Sequence, residues 1–462
     1  MLWSRICQIR NNAYNLVSTR LIMAEQESMV PVAAIVCFLL GVTSLILLNR
    51  SKNRMWVDRL AGYMLGWCLV FFGLRYAAAS VQETSWWQST DITSQFDIFQ
   101  YLFFSFTIAA FAIVAIFPFI YPYPIFQKSA TIKLVAPVTF FLGLVIVISM
   151  MLTEYKYVGF WQILFAPAFI ILIPIYFRFL SEEMLQEDDT SRRMSLAAGI
   201  ILIAFFGQQM TWWLAQLISI NDEFVARFAI EAGVGSHSYV PNWIGYTVTN
   251  SLGTIAILSL AAGETWRANK KGINGFTIVI FLILGVGLIS GIADYAVLDI
   301  VDSCMYTVCE SFPESYNIWY KFTTEALLLL FTPLMVMYIL LHFDVIDSEA
   351  EQNQWMTRII VILMLLIVSS TMIELLQSFL PVSSMISSAI LAMVVAIFIG
   401  WEERIMNTLI GEGESISKKL TALNELHEPE ISEGELQLFS KSMAVLTVII
   451  VILCFLYSSI VS

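Results

Sequence analysis

The chain is poor in charged residues, which make up only 13% of its 462 positions. Soluble domains carry about 25% charged residues and about 45–50% apolar residues, whereas the apolar share here is 58%. This balance excludes an ordinary water-soluble globular protein. The chain has instead a series of long apolar runs, which are typical of helices that cross a membrane.

Histidine and the usual catalytic motifs are also scarce. The three histidines, His237, His342 and His427, fall in separate gaps between apolar runs, so they predict no shared zinc or haem site. The chain has no H-E-x-x-H, no G-x-S-x-G and no phosphate-binding lysine loop. We therefore expect no enzymatic activity, no bound metal and no cofactor.

Twelve apolar runs are long enough to cross a bilayer, for which a helix needs about 20 residues. The runs are continuous and do not alternate with a period of two, so the predicted fold is an all-α polytopic transmembrane helical bundle. The predicted spans are Val30–Leu48, Leu60–Val81, Ile98–Ile120, Leu134–Leu152, Val158–Phe177, Met194–Ile218, Val240–Ala262, Gly275–Ile292, Phe322–Leu341, Ile359–Phe379, Ser383–Gly400 and Ser440–Val461.

The basic residues predict which way each span points. Every second gap is basic, and together these gaps hold 17 of the 24 Lys and Arg residues: Arg50, Lys52, Arg54, Arg59, Lys128, Lys133, Arg178, Arg192, Arg193, Arg267, Lys270, Lys271, Arg358, Arg404, Lys418, Lys419 and Lys441. The alternate gaps hold Lys156, Arg227 and Lys321. Because basic loops stay in the cytoplasm, we expect both ends of the twelve-span bundle to lie outside.

The N-terminal segment 1–29 disagrees with that placement, because Met1–Ile22 has three Arg and no acid. Three interpretations stay open: translation that begins at Met23, an interfacial helix, and an organelle-targeting presequence. We therefore expect an integral membrane protein of the cell membrane, or of an organelle inner membrane if residues 1–22 are a transit peptide.

The rest of the chain divides into four predicted parts. These are a seven-helix membrane module (30–264), a four-helix membrane module (265–403), a cytoplasmic amphipathic segment (404–439) and a final transmembrane anchor (440–462). Within the amphipathic segment, apolar residues recur at helical spacing around Lys418 and Lys419: Ile405, Leu409, Ile416, Leu420, Leu423 and Leu426. We expect residues 404–428 to lie on the membrane or on a protein partner.

The two modules resemble each other at an offset of 166 residues. Phe165-Ala166-Pro167 corresponds to Phe331-Thr332-Pro333, Arg192 corresponds to Arg358, and Gln208 corresponds to Glu374. Both units begin on the cytoplasmic side, so the interpretation is a parallel four-helix repeat. Chance similarity between apolar helices is the alternative.

Polar groups inside the predicted spans are costly and often functional. Glu374 lies in the tenth span, and Arg75, at similar depth in the second, could be its partner; Gln208, Gln209 and Asn250 add uncharged hydrogen-bonding groups. These five residues predict a polar site open to the outside, with interhelical hydrogen bonding as the alternative. Gly62 and Gly66 form a separate G-x-x-x-G face, which predicts close helix packing.

Two further features concern the outer surface. Cys304 and Cys309 share one outward loop, where a disulfide is expected in an oxidising exterior; two free thiols or a weak metal site are the alternatives. The net charge of −12 arises largely from acids in the outward loops, which excludes nucleic acid as a partner. The lipid bilayer is the expected environment.

Residues 30–264 resemble the seven-helix N-terminal sensor region of bacterial and archaeal histidine kinases. The resemblance rests on the seven spans, on the basic first turn Leu48-Asn49-Arg50-Ser51-Lys52-Asn53-Arg54, and on the pair Arg192-Arg193 that opens the sixth helix. Such kinases carry a signalling domain after the seventh helix, whereas five more spans follow here. The resemblance therefore implies a sensor without its own output domain, or an inert scaffold. Function is expected to be that of a receptor-like or accessory subunit, with a transporter of a small solute or ion and a structural subunit as alternatives.

Overall fold

A computed structural model describes residues 30–50, 55–83, 98–125, 128–153, 165–186, 188–205 and 431–461, together with scattered positions between 333 and 422. The described residues form helices and no strand. The helices are α1 (Val30–Arg50), α2 (Trp56–Glu83), α3 (Ile98–Ile116), α4 (Ser129–Lys133), α5 (Val135–Leu152), α6 (Phe165–Gln186), α7 (Asp189–Phe205) and α8 (Glu433–Val461).

Five stretches of this described part are long and apolar enough to cross a membrane: Val30–Arg50, Trp56–Val81, Ile98–Phe119, Ser129–Leu152 and Glu433–Ile460. An all-helical integral membrane protein is therefore what these residues form, as the sequence predicts. The third span stops where expected, because α3 gives way to a single 3₁₀ turn, Phe117–Phe119, at Pro118, whose ring cannot continue an α-helix.

Glycines bring the backbones of α1 and α2 together. A Cβ placed on Gly41 would lie 2.8 Å from the Val70 backbone nitrogen, and one on Gly62 would lie 2.3 Å from the Leu48 side chain. On Gly66 it would lie 2.9 Å from the Leu45 side chain. The predicted packing role of Gly62 and Gly66 is confirmed, because larger residues there would separate the two helices.

Helix α8 returns to the N-terminal helices and packs against α2, α3 and α5. Arg59 and Trp67, about two turns apart on α2, contact Glu433 and Ser440, about two turns apart on α8. The two helices are therefore parallel. Along α3 the order is reversed, because Ser105 contacts Cys454 and the earlier Tyr101 packs on the later Tyr457.

Helix α8 begins at Glu433, seven residues before the predicted start of the last span at Ser440. The extension is favoured by a local signal in Ser432-Glu433-Gly434-Glu435. The backbone N–H of Ser432 donates to the Glu435 carboxylate at 2.9 Å, while the Ser432 carbonyl accepts from the backbone N–H of Glu435. This is one half of a capping box, and it adds two helical turns that carry acids to the end of the bundle.

Candidate functional sites

Helices α2 and α8 begin at the same end of the bundle, next to Arg50, Arg59 and Lys133; we call this the basic end, and the sequence predicts it to be cytoplasmic. Here the Arg59 guanidinium donates two hydrogen bonds of 2.5 Å to the Glu433 carboxylate. The Arg59 side chain is 4% exposed and that of Glu433 is 43% exposed. A bidentate pair of this kind is strong, and it joins α2 to α8.

Two further polar contacts hold α8 at the basic end. Lys133, at the end of α4, lies 2.8 Å from Glu435, and the Trp67 indole N–H donates to the Ser440 hydroxyl at 2.9 Å. The Lys133 pair is largely exposed, so water and salt screen it and it contributes little to stability. Arg59, Lys133 and Trp67 thus fix both the position and the register of α8.

A second polar cluster lies at the turn between α6 and α7. Lys419, from the predicted amphipathic segment, lies 2.7 and 2.8 Å from the two carboxylate oxygens of Asp188 and also donates to the Ser191 hydroxyl. Nearby, the Ser195 hydroxyl donates to the buried Glu183 carboxylate at 2.5 Å. The cluster therefore attaches the amphipathic segment to α6 and α7.

The charge of Asp188 responds to this environment. Burial raises the pKa of its carboxyl, but hydrogen bonds from Lys419 and Ser191 and the charge of Lys419 outweigh burial, so the pKa lies below its ordinary value. Asp188 is consequently ionised at neutral pH, as an ion pair with Lys419 requires.

The described part of the amphipathic segment has one buried and one exposed side. Ile416 and Leu420 are buried, whereas Lys418 and Ala422 are exposed. A spacing of four residues between the buried pair is that of one helix face. Lys419 itself is only 14% exposed in its side chain, so it lies between the two sides and reaches Asp188.

Arg75 is the one residue of the predicted polar site that lies among the described residues. Its guanidinium carbon is 4.5 Å from the ring centroid of Phe103 on α3, 5.4 Å from that of Tyr76 and 5.9 Å from that of Phe72. Its Nε is buried and has no hydrogen-bond partner. Aromatic faces stabilise the cation at these distances, and the described residues supply no carboxylate for it.

The other predicted site residues, Gln208, Gln209, Asn250 and Glu374, lie outside the described residues, as do Cys304 and Cys309. The cysteines that the structure does describe, Cys37, Cys68 and Cys454, are buried and form no disulfide. In the described ranges no group of three or more His, Cys, Asp or Glu could hold a metal ion.

Sequence reasoning assigned Arg59 and Lys133 to the basic gaps but did not find their acidic partners. One signal for Glu433 and Glu435 is present, because Ser432-x-x-Glu435 is the pattern of a capping box. No sequence signal points to Asp188 as the partner of Lys419, since 231 residues separate them.

The comparisons with known proteins add no relative: no family model matches the chain, and neither a curated protein nor a solved structure shows significant similarity to it.

Proposed function

We propose that the chain is a receptor-like or accessory membrane subunit, with no catalytic domain of its own, that acts through a protein partner bound at residues 404–428. The observation that carries this proposal is the attachment of that segment at Lys419 to the α6–α7 turn. A partner on the segment would thereby respond to movement of α6 and α7, and binding of the partner would in turn affect the position of these helices. The resemblance to a sensor region without an output domain agrees with this role.

The second attachment supports the same role. Helix α8 begins shortly after residue 428 and is held to α2 and α4 through Arg59–Glu433 and Lys133–Glu435. The segment is thus tied on both sides to membrane helices. Both attachments lie between regions that the basic residues assign to the cytoplasm, where a soluble or membrane-bound partner would find the segment.

We also propose twelve spans in the cell membrane. Support comes from the direction of α8, which is parallel to α2. Because α2 is the second span, a parallel α8 is an even-numbered span, as the twelfth would be. An odd total would require α8 to run the opposite way.

The proposal is tested by purifying the full chain from membranes and identifying by native mass spectrometry what travels with it. Lys419→Ala should reduce the co-purifying protein several-fold, because the segment loses its attachment at Asp188. Asp189→Asn is the matched control, since Asp189 neighbours Asp188 but pairs with Arg192 instead, and it should leave recovery unchanged. Deletion of residues 411–428 should remove the partner while the monodisperse profile of the chain is kept.

Two outcomes contradict the proposal. If the same protein co-purifies in equal amount with and without residues 411–428, the partner binds elsewhere and the chain is a structural subunit of a membrane complex. If nothing co-purifies with the intact chain in native membranes, a partner-dependent role is wrong.

Arg75 favours a second candidate function, a transporter of a small solute or ion. A cation within a span, with ring faces about it and its Nε unpaired, is suited to meet an anionic group. Glu374, the predicted partner, would then compete with that group. Transport through this site predicts that Glu374→Gln abolishes uptake or makes it independent of pH at unchanged expression; unaltered uptake removes Glu374 from the mechanism.

A further inference from the structure

Arg178 lies at the basic end on α6 and is held by an aromatic ring. Its guanidinium carbon is 4.0 Å from the ring centroid of Tyr123, in the loop after α3. The side chain is nevertheless exposed. Because the guanidinium lies over the ring and the residue is exposed, its N–H groups are accessible, and a guanidinium can bind two oxygens at once.

Arg178 forms no ion pair with any residue that the structure describes. The nearest acid along α6 is Glu182, one turn later, and its carboxylate accepts a hydrogen bond from Gln186 at 3.3 Å. The sequence from Phe117 to Leu134, which includes Tyr123, contains no acid at all. Of its two lysines, Lys133 pairs with Glu435 and Lys128 is exposed, so the local charge is positive.

The surroundings of Arg178 are those of the lipid boundary. Phe177 immediately before it is 56% exposed, and Ile125, close to Tyr123 in sequence, is 46% exposed. The predicted fifth span ends at Phe177, which would place Arg178 at the level of the lipid headgroups. Exposed apolar side chains beside a cation that has no ion-pair partner among the described residues match the two parts of a phospholipid, its acyl chains and its phosphate.

We propose that Arg178, fixed by Tyr123, binds the phosphate of an anionic phospholipid at the basic end, with the acyl chains over Phe177 and Ile125. Anionic headgroups are favoured over zwitterionic ones because no choline or ethanolamine charge competes with Arg178 and Lys128. This binding site does not depend on the proposed partner or on the transport alternative.

The test uses the full chain, delipidated in mild detergent and supplied with equal amounts of phosphatidylglycerol and phosphatidylcholine. Native mass spectrometry should show phosphatidylglycerol retained several-fold more than phosphatidylcholine. Arg178→Gln should reduce that preference at least threefold, and Arg178→Lys should keep part of it, because the charge remains while the planar stack on Tyr123 is lost. Arg192→Gln is the matched control, since Arg192 is a basic-end arginine already paired with Asp189 at 3.2 Å, and it should change nothing.

Three results would overturn the proposal. Equal retention of the two lipids by the wild-type chain shows that headgroup charge is not recognised. An undiminished preference in Arg178→Gln assigns the lipid to another residue. Loss of bound lipid on adding millimolar inorganic phosphate identifies the ligand as free phosphate. If Arg178→Gln fails to fold, the Arg178→Lys comparison and the thermal stabilisation of the wild-type chain by each lipid decide the matter.

Discussion

Two arginines on α2 are held in different ways. Arg59 and Arg75 are sixteen residues apart, or about 24 Å along the helix axis. Arg59, at the basic end, is paired with Glu433 through two hydrogen bonds. Arg75, deep in the same span, is surrounded by ring faces, and the described residues place no carboxylate beside it.

The difference follows from the cost of charge in an apolar medium. At the basic end Glu433 is 43% exposed, so its carboxylate stays partly hydrated. The free-energy cost of removing this ion pair from water is therefore small. Deeper in the span a carboxylate partner would itself lose its hydration, whereas a ring face stabilises the cation without adding a second charge. Arg59 therefore serves to join helices, whereas Arg75 lies among ring faces with its Nε unpaired.

The comparison depends on α2 being held firmly against α1 beside Arg75, and Gly73 provides that contact. A Cβ on Gly73 would lie 2.7 Å from the backbone nitrogen and 2.9 Å from the Cα of Phe38. Backbone atoms cannot turn aside as a side chain can, so Gly73→Ala must separate the helices and move Arg75. We expect a loss of about 3 kcal/mol, at the upper end of overpacking costs, in the free energy of unfolding measured by denaturant titration in bicelles.

Gly434→Ala is the control for this substitution, because nothing lies within 4 Å of a Cβ at Gly434. It should leave the free energy of unfolding unchanged or raise it by about 0.5–1 kcal/mol, as alanine favours the helix. Wild-type stability in Gly73→Ala would mean that α1 and α2 are not in backbone contact there.

Removing Glu433 should break the pair at the basic end. Glu433→Ala leaves Arg59, with a side chain only 4% exposed, as a buried cation without its partner. Loss of one partner from a fully buried pair costs about 3–5 kcal/mol; because Glu433 is partly exposed, we expect about 2 kcal/mol here. Lys133→Ala removes the more exposed pair with Glu435 and should cost clearly less than Glu433→Ala. Equal losses in the two variants would contradict the special role of Arg59.

Replacing Arg75 by an apolar residue sharpens the comparison. Arg75→Met removes ring contacts worth about 0.5–2 kcal/mol, but it also removes the cost of keeping a cation inside the span. We expect the free energy of unfolding to stay within about 1 kcal/mol of wild type. A loss as large as that of Glu433→Ala would show that a carboxylate neutralises Arg75, and Glu374→Gln should then produce the same loss.

The sequence predicts the described spans well because each is a continuous apolar run. The predicted spans Val30–Leu48 and Leu134–Leu152 match α1 and α5 to within two residues, and Leu60–Val81 falls inside α2. Two boundaries are less accurate, because helices extend past their apolar runs: α6 ends at Gln186, nine residues after the predicted end at Phe177, and α8 begins seven residues before Ser440, with acids in its first two turns. Hydropathy registers burial in lipid, and those two turns contact α2 instead.

Helix neighbours could not be predicted, because an apolar run indicates a span but not which other span it contacts. The pairing of Arg59 with Glu433 joins residues 374 apart in sequence. For Arg75, the nearness of Tyr76 and Phe72 on the same helix could be read from the sequence, whereas that of Phe103 depends on how α2 and α3 pack. The site residues Gln208, Gln209, Asn250 and Glu374 remain a prediction.

The smallest expected effect concerns the third kind of charge pairing, Asp188 with Lys419, in which both partners reach the surface. Since the pKa of Asp188 lies below its ordinary value, the pair contributes fully above about pH 4, and its contribution is lost as pH falls through the lowered pKa. With Asp188 partly exposed, that contribution is below about 1 kcal/mol, too little to unfold the bundle but enough to loosen the segment around Ile416 and Leu420.

Hydrogen exchange of that segment, compared at equal intrinsic rate, should therefore increase from pH 5 to pH 3 in the wild-type chain. In Asp188→Asn it should already be raised at pH 5 and change little further, whereas Asp189→Asn, the neighbouring acid that pairs with Arg192 instead, should follow the wild type. A rise that persists unchanged in Asp188→Asn would assign the acid sensitivity to another carboxylate, and the attachment of the segment would then not depend on Lys419.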